Sequence, residues 1–355
     1  MCPPSKRAST SCSAQTSSEL PGMNLPKIML ASALLFCGVW GAAVQAAPNL
    51  PSPAASEARA SITQPFSAPD FDDPAALEDA RRGGSEAIGS LVDRLPKPYR
   101  EQEIHPGGIR CLEFTTEHTL SNKVMLYLHG GGYFSGDPEL ARPMTAALAT
   151  ESPLRVVSVD YRLAPEHPFP AALDDALAVY DGLIESGLSA DDIIVAGTSA
   201  GGGLTLSLAL SLRAEGRPLP RALILISPWA DLTGKAFSHR ALEGIAPVMT
   251  WDGTLEAGAA LYAGETPRDH PHVSPIFADF EGLPPTLVLV GGAELLVSDA
   301  LNVTRAARAA GVPVTLDVRD AMWHLFPFWP DPNMPEAVSA RRTIVDFARG
   351  QLGLE

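Results

Sequence analysis

Short apolar runs recur through the chain at 124–128, 155–160, 193–196, 223–226, 286–290 and 314–318. Each is bounded by turn-forming or charged residues, and the shortness and β-branched content of these runs predict strands. Between them, residues 171–186, 204–215 and 299–310 carry apolar positions at helical spacing. Short apolar strands alternating with helices predict a mostly parallel central sheet covered by helices on both faces. Two segments break the alternation. Residues 74–95 read as helical before the first of these strands, and residues 231–264 are too long for an ordinary connection between the fourth and fifth. Both are expected to fold over the strand ends as a small helical cap, where ligands sit in open α/β sheets.

The start of the chain follows another pattern. Residues 1–22 are polar and Ser-rich, so translation is expected to begin at Met23. Lys27 precedes an apolar run over 28–44, and Val44-Gln45-Ala46 suits signal-peptidase cleavage before Ala47. The run is near the lower length limit for a membrane span, and the bulky Phe36 argues against a lipoprotein at Cys37. The expectation is therefore a signal peptide over 23–46 within an N-terminal extension of 1–46. The protein would then be exported, periplasmic or secreted, and keep no stable membrane span. Residues 47–70, rich in Pro, Ala and Ser, read as a flexible leader, and 71–355 as the folded domain.

Composition narrows the choice of function. A chain of 355 residues with 46% hydrophobic and 19% charged side chains can build a core. Its net charge of −15 repels phosphate backbones and argues against nucleic-acid binding. Cys2, Cys12 and Cys37 lie in the part expected to be removed, so Cys111 is left without a partner. It reads as a buried apolar filler, and no CxxC or His/Cys cluster suggests a metal.

Four stretches carry candidate chemistry. In "IIVAGTSAGGG", residues 193–203, Ser199 sits in G-x-S-x-G between an apolar strand and a helix. A serine on so tight a turn has no room for a Cβ at the flanking glycines, which points to an exposed nucleophile. A Gly-rich turn is the competing reading, and a P-loop is excluded because no Gly-Lys-Ser/Thr occurs. His129-Gly130-Gly131-Gly132 closes another strand, where glycines let backbone N–H groups approach a developing oxyanion. His129 is expected to position that loop. In "DYRLAPEHPFPAALDDA", residues 160–176, prolines fix a loop in which Asp160, Arg162 and Glu166 read as structural partners. His324 follows the last strand in "MWHLFPFW" and outranks His167, His270 and His272 as a base.

In this order, and joined by "SPWADLT" (227–233), "VSPIFADFEGLPPTLVLVGGAELLVSDA" (273–300) and "MWHLF" (322–326), these stretches resemble the hormone-sensitive-lipase-like esterases. These are bacterial family IV of the α/β-hydrolase fold, and the resemblance spans roughly 124–347. It implies a catalytic chain in the order Ser199, Glu294, His324. It also implies an oxyanion hole from the N–H groups of Gly130, Gly131 and Ala200. Many relatives carry Asp-Pro-Leu where this chain has Glu294-Leu295-Leu296, and a glutamate can fill that role. Asp299 competes as the acid, but is expected instead to cap the next helix. No metal or organic cofactor is implied.

The expected reaction is hydrolysis of short- to medium-chain carboxylic esters through an acyl-enzyme, with a small-molecule ester as partner. A lactone hydrolase or deacetylase would use the same site. A peptidase would need a large extra domain, for which the chain lacks length. A non-catalytic small-molecule-binding module of the receptor type would have lost the histidine that is present here as His324. The oligomeric state is open, and a homodimer is compatible with all of this.

Overall fold

The computed structural model describes residues 50–354, apart from 64–65, 67, 96–97 and 330. The segments assigned to the extension and signal peptide, 1–46, lie outside the described residues. Among the described residues there are eight strands: β1 (Arg100–Ile104), β2 (Cys111–Thr115), β3 (Leu120–Leu128), β4 (Leu154–Val159), β5 (Ile193–Thr198), β6 (Ala222–Ile226), β7 (Thr286–Gly291) and β8 (Val314–Arg319). They form one sheet in the order β1-β2-β4-β3-β5-β6-β7-β8. From β4 to β8 all pairings are parallel, whereas β2 runs antiparallel to both β1 and β4.

The helices are α1 (Pro53–Ser61), α2 (Pro74–Gly89), α3 (Pro138–Glu151), α4 (Ala171–Glu185), α5 (Ala200–Ala214), α6 (Phe237–Ala241), α7 (Glu256–Ala263), α8 (Val297–Ala309) and α9 (Pro335–Gln351). They cover both sheet faces, and the strand side chains divide accordingly. On β3, Val124, Leu126 and Leu128 join the core layer containing α4, α5 and α8. The alternate residues Met125 and Tyr127 join the layer containing α3 and α9. β7 divides the same way, with Val288 and Val290 on one face and Leu287 and Leu289 on the other. Burial on both faces explains why the strands read as unbroken apolar runs.

The alternating sheet is as the sequence predicts, but the antiparallel edge is not. β1 reads "REQEI", and four of its five residues are exposed, so no apolar periodicity marks it. The stretch 47–70, expected to be a flexible leader, contains α1. Pro53 opens the helix, and Ser52 caps it by accepting from the Ala55 N–H. The Ser52 N–H and hydroxyl both bond Glu336 of α9, at 2.6 and 2.9 Å, and Ala55 and Ala58 are buried. A low-hydropathy Pro/Ala/Ser segment is thus ordered by polar contacts, among them Arg59 Nη2 to Ile245 O at 3.0 Å, and by two small buried side chains.

β5 and α5 meet more closely than ordinary side chains allow. A Cβ on Gly201 would lie 2.0 Å from the Leu128 carbonyl oxygen and 2.3 Å from that of His129. One on Gly197 would lie 2.1 Å from the Gly201 carbonyl oxygen. The start of α5 therefore rests directly on the end of β3. Gly201→Ala is expected to destabilise the fold by about 3 kcal/mol, because backbone on backbone cannot relax cheaply. Urea unfolding at neutral pH measures the loss.

Candidate active site

At the carboxyl end of β5 the chain turns sharply, with Ser199 at φ 56° and ψ −120°. A serine at positive φ is uncommon and persists only where its surroundings hold it there. Here they do so through four hydrogen bonds. The Ser199 N–H donates to Ile226 O at 2.9 Å, and its carbonyl accepts from Gly202, Gly203 and Trp229. Gly130 lies against it, since a Cβ there would be 3.2 Å from the Ser199 Cβ. The N–H groups of Gly130 and Gly131 donate to no acceptor among the described residues. Ala200 opens α5, so its N–H has no intrahelical acceptor.

The glycine loop is braced from behind by His129. Its Nδ1 lies 2.7 Å from the Gly130 carbonyl and donates to it, its ring stacks on Tyr161 at 4.0 Å, and Tyr161 Oη donates to His129 O. Complete burial pushes the His129 pKa down, which keeps the ring neutral. It is a support for the loop and is closed off from solvent.

The loops after β7 and β8 are tied together by their backbones. Gly292 N–H donates to Arg319 O at 2.8 Å, and Ala293 N–H donates to Met322 O at 2.9 Å. This brings Glu294 Oε1 to 3.2 Å from His324 Nδ1, with both side chains buried. The other carboxylate oxygen, Oε2, accepts from Ser227 Oγ at 2.9 Å and from the Gly291 N–H at 3.1 Å. Arg341 holds the chain just beyond the histidine through the carbonyls of Pro327 and Trp329. Ser199, His324, Gly130 and Gly131 line one cavity of about 140 Å³. Its walls are mostly apolar: Phe134, Ile88 of α2, Val248, Met249, Leu255 and Phe328. A larger open groove of about 670 Å³ between α2 and α3 is lined by charged side chains and contains neither Ser199 nor His324.

A hydroxyl on a strained turn, a buried histidine–carboxylate pair and unclaimed N–H groups converge on one apolar pocket, which can support acyl transfer. Comparison with known proteins identifies the family. Residues 125–328 match the family described as alpha/beta hydrolase fold. An acetyl-hydrolase of Streptomyces hygroscopicus is 35% identical over 278 residues, covering 77% of this chain and 92% of that protein. An esterase of Acinetobacter venetianus is 36% identical over 270 residues, covering 74% and 88%. A crystal structure of an esterase from the bacterial hormone-sensitive lipase family has a TM-score of 0.78 at 34% identity, over 85% of this chain and 99% of that one. The chain belongs to the hormone-sensitive-lipase-like esterases of the α/β-hydrolase fold. It is an ester hydrolase.

In this esterase the other candidate side chains have separate partners. Asp160 pairs with Arg110, Arg162 with Asp175 and Glu166 with Arg81 of α2. His270 and His272 lie outside the cavity around Ser199, and His272 Nδ1 faces Ser211. Burial pushes the Cys111 thiol up to about 12, so it stays protonated. Among the described residues no group of His, Cys, Asp and Glu could hold a metal ion, and no helix is long and apolar enough to cross a membrane.

Asp299 does not cap α8 as expected. It lies in the first turn of that helix, fully buried, with Oδ2 2.6 Å from His239 Nε2. Its Oδ1 accepts the N–H groups of Ala230 and Asp231 at 3.0 and 2.8 Å. Tertiary donors outcompete the helix's own N–H groups because the side chain points inward. Burial raises its pKa, against the opposing bond from His239. Ser227 is the polar contact that sequence reasoning missed, since nothing in "SPWADLT" signals a serine aimed at the next strand's loop. Asp299→Asn is expected to destabilise the fold by about 3 kcal/mol by leaving His239 without its charged partner. Chemical denaturation of the two proteins side by side measures this.

Proposed function

We propose that this esterase cleaves short- to medium-chain carboxylic esters by acyl transfer through Ser199, with His324 as base and Glu294 as its orienting acid. The observation that carries the reading is the Glu294–His324 contact at 3.2 Å opening onto the same cavity as Ser199. Glu294 fixes the ring so that Nδ1 keeps its proton and Nε2 is the basic nitrogen. His324 takes the Ser199 proton as Oγ bonds to the ester carbonyl carbon. The carbonyl oxygen becomes an oxyanion held by the N–H groups of Gly130, Gly131 and Ala200. His324 then protonates the leaving alcohol as the C–O bond breaks. Water, deprotonated by the same histidine, releases the acid and restores Ser199.

Segments 74–95 and 231–264 act as the cap in this reading. Ile88 comes from the first and Val248, Met249 and Leu255 from the second, all lining the cavity. A volume of about 140 Å³ suits short acyl groups, and the Streptomyces relative is named an acetyl-hydrolase. A deacetylase reading of the same site is favoured by that name. The enzyme works outside the cytoplasm in this reading, supported by the signal-like run over 28–44 and the cleavage motif ending at Ala46.

Ser199→Ala is expected to lower kcat on p-nitrophenyl butyrate by roughly 10⁴-fold or more while the fold is retained. Glu294→Gln should lower it by roughly 10²- to 10⁴-fold, whereas Asp299→Asn should remain active. Full turnover by the first, or an inactive but folded Asp299→Asn beside an active Glu294→Gln, would refute these roles. For export, Edman sequencing of the mature protein should begin at Ala47; an intact 28–44 segment would contradict cleavage.

A further inference from the structure

Glutamate as the acid raises a problem of direction. Its side chain is one methylene longer than aspartate, and its terminal torsion is broad, so the carboxylate needs an external anchor to aim one oxygen at a histidine. Ser227 supplies such an anchor at an unusual conformational cost. It follows the end of β6, fully buried, and its N–H donates to Leu289 O of β7 at 2.7 Å. Its φ is +48°, and Pro228 follows it. A residue before proline normally keeps φ near about −120°, so a serine there is strained by both its sign and its neighbour. That conformation carries Oγ to Glu294 Oε2, at 2.9 Å. Together with the Gly291 N–H at 3.1 Å, it occupies Oε2 and leaves Oε1 for His324.

We propose that Ser227 is a positioning residue for the acid, held at positive φ so that its hydroxyl fixes the rotation of the Glu294 carboxylate toward His324. The proposal rests on Glu294 being the acid of the triad. Ser227 does not touch substrate: it has no exposed surface and does not line the cavity around Ser199. Its effect therefore belongs in the chemical steps, and substrate binding should be left alone. Strain and function also separate here, because glycine removes the hydroxyl and relieves the backbone, while alanine removes the hydroxyl and keeps the strain.

The test compares Ser227→Gly, Ser227→Ala and Glu294→Gln with the natural enzyme on p-nitrophenyl butyrate, with thermal unfolding of each. Both Ser227 variants are expected to lose about ten- to a hundredfold in kcat, with KM within about twofold. Ser227→Gly should unfold at a higher temperature than Ser227→Ala and yet be no more active. The proposal is overturned if Ser227→Gly keeps kcat within about twofold of the natural enzyme while Glu294→Gln is inactive. It is equally overturned if activity rises and falls with unfolding temperature across the two serine variants. If Glu294→Gln turns over normally, the acid itself is misassigned and the proposal falls with it.

Discussion

The turn at Ser199 is the constraint on which the site depends. A serine at the end of a central strand that turns straight into a helix must leave the sheet plane, and it does so at φ 56°. That angle is tolerable because α5 starts directly against β3, with Gly197 and Gly201 leaving backbone in contact with backbone. The same closeness sets Gly130 beside the serine and stacks the glycine loop on the helix start. The neighbouring end of β6 is held by the Ser199 N–H to Ile226 and by Trp229 to the serine carbonyl. Ser199, the glycine loop and the β6 end are therefore one rigid piece, as the proposed site requires.

The proposed acid and base come from the other half of the sheet, and two buried carboxylates there have different environments. Glu294 and Asp299 are five residues apart, and each accepts two donors besides facing a histidine. Glu294 shares its histidine with the cavity. Asp299 is enclosed with His239, whose ring stacks on Trp251 at 4.6 Å. Asp299 ties the first turn of α8 to residues 230–231 and α6, bracing the loop that presents Glu294. Chemical similarity hides this division of labour in the sequence; enclosure reveals it.

Legibility follows the same physics. Strands β5, β6 and β7 are readable because both faces are buried, which leaves an uninterrupted apolar signature, as does the second half of β3. The tight turns around Ser199 and Gly130 are readable because close packing removes side chains, and runs of glycine are visible in a sequence. β1 is not, because its exposed "REQEI" depends on pairing with β2 alone. Nor is α1, whose cap Ser52 bonds Glu336, 284 residues away, and whose Arg59 bonds Ile245 O. Asp299 sits where its local position suits a helix cap, but its partners at 230, 231 and 239 are remote in the chain. Ser227 left no signal at all, since positive φ at a serine has no sequence mark.

The most direct test of Ser199 as the nucleophile is covalent. After inactivation by a fluorophosphonate, peptide mass mapping should find one adduct per chain, on the peptide carrying Gly197-Thr198-Ser199-Ala200-Gly201 and on Ser199 itself. Loss of activity with the adduct on another residue, or full activity with Ser199 modified, would contradict the assignment.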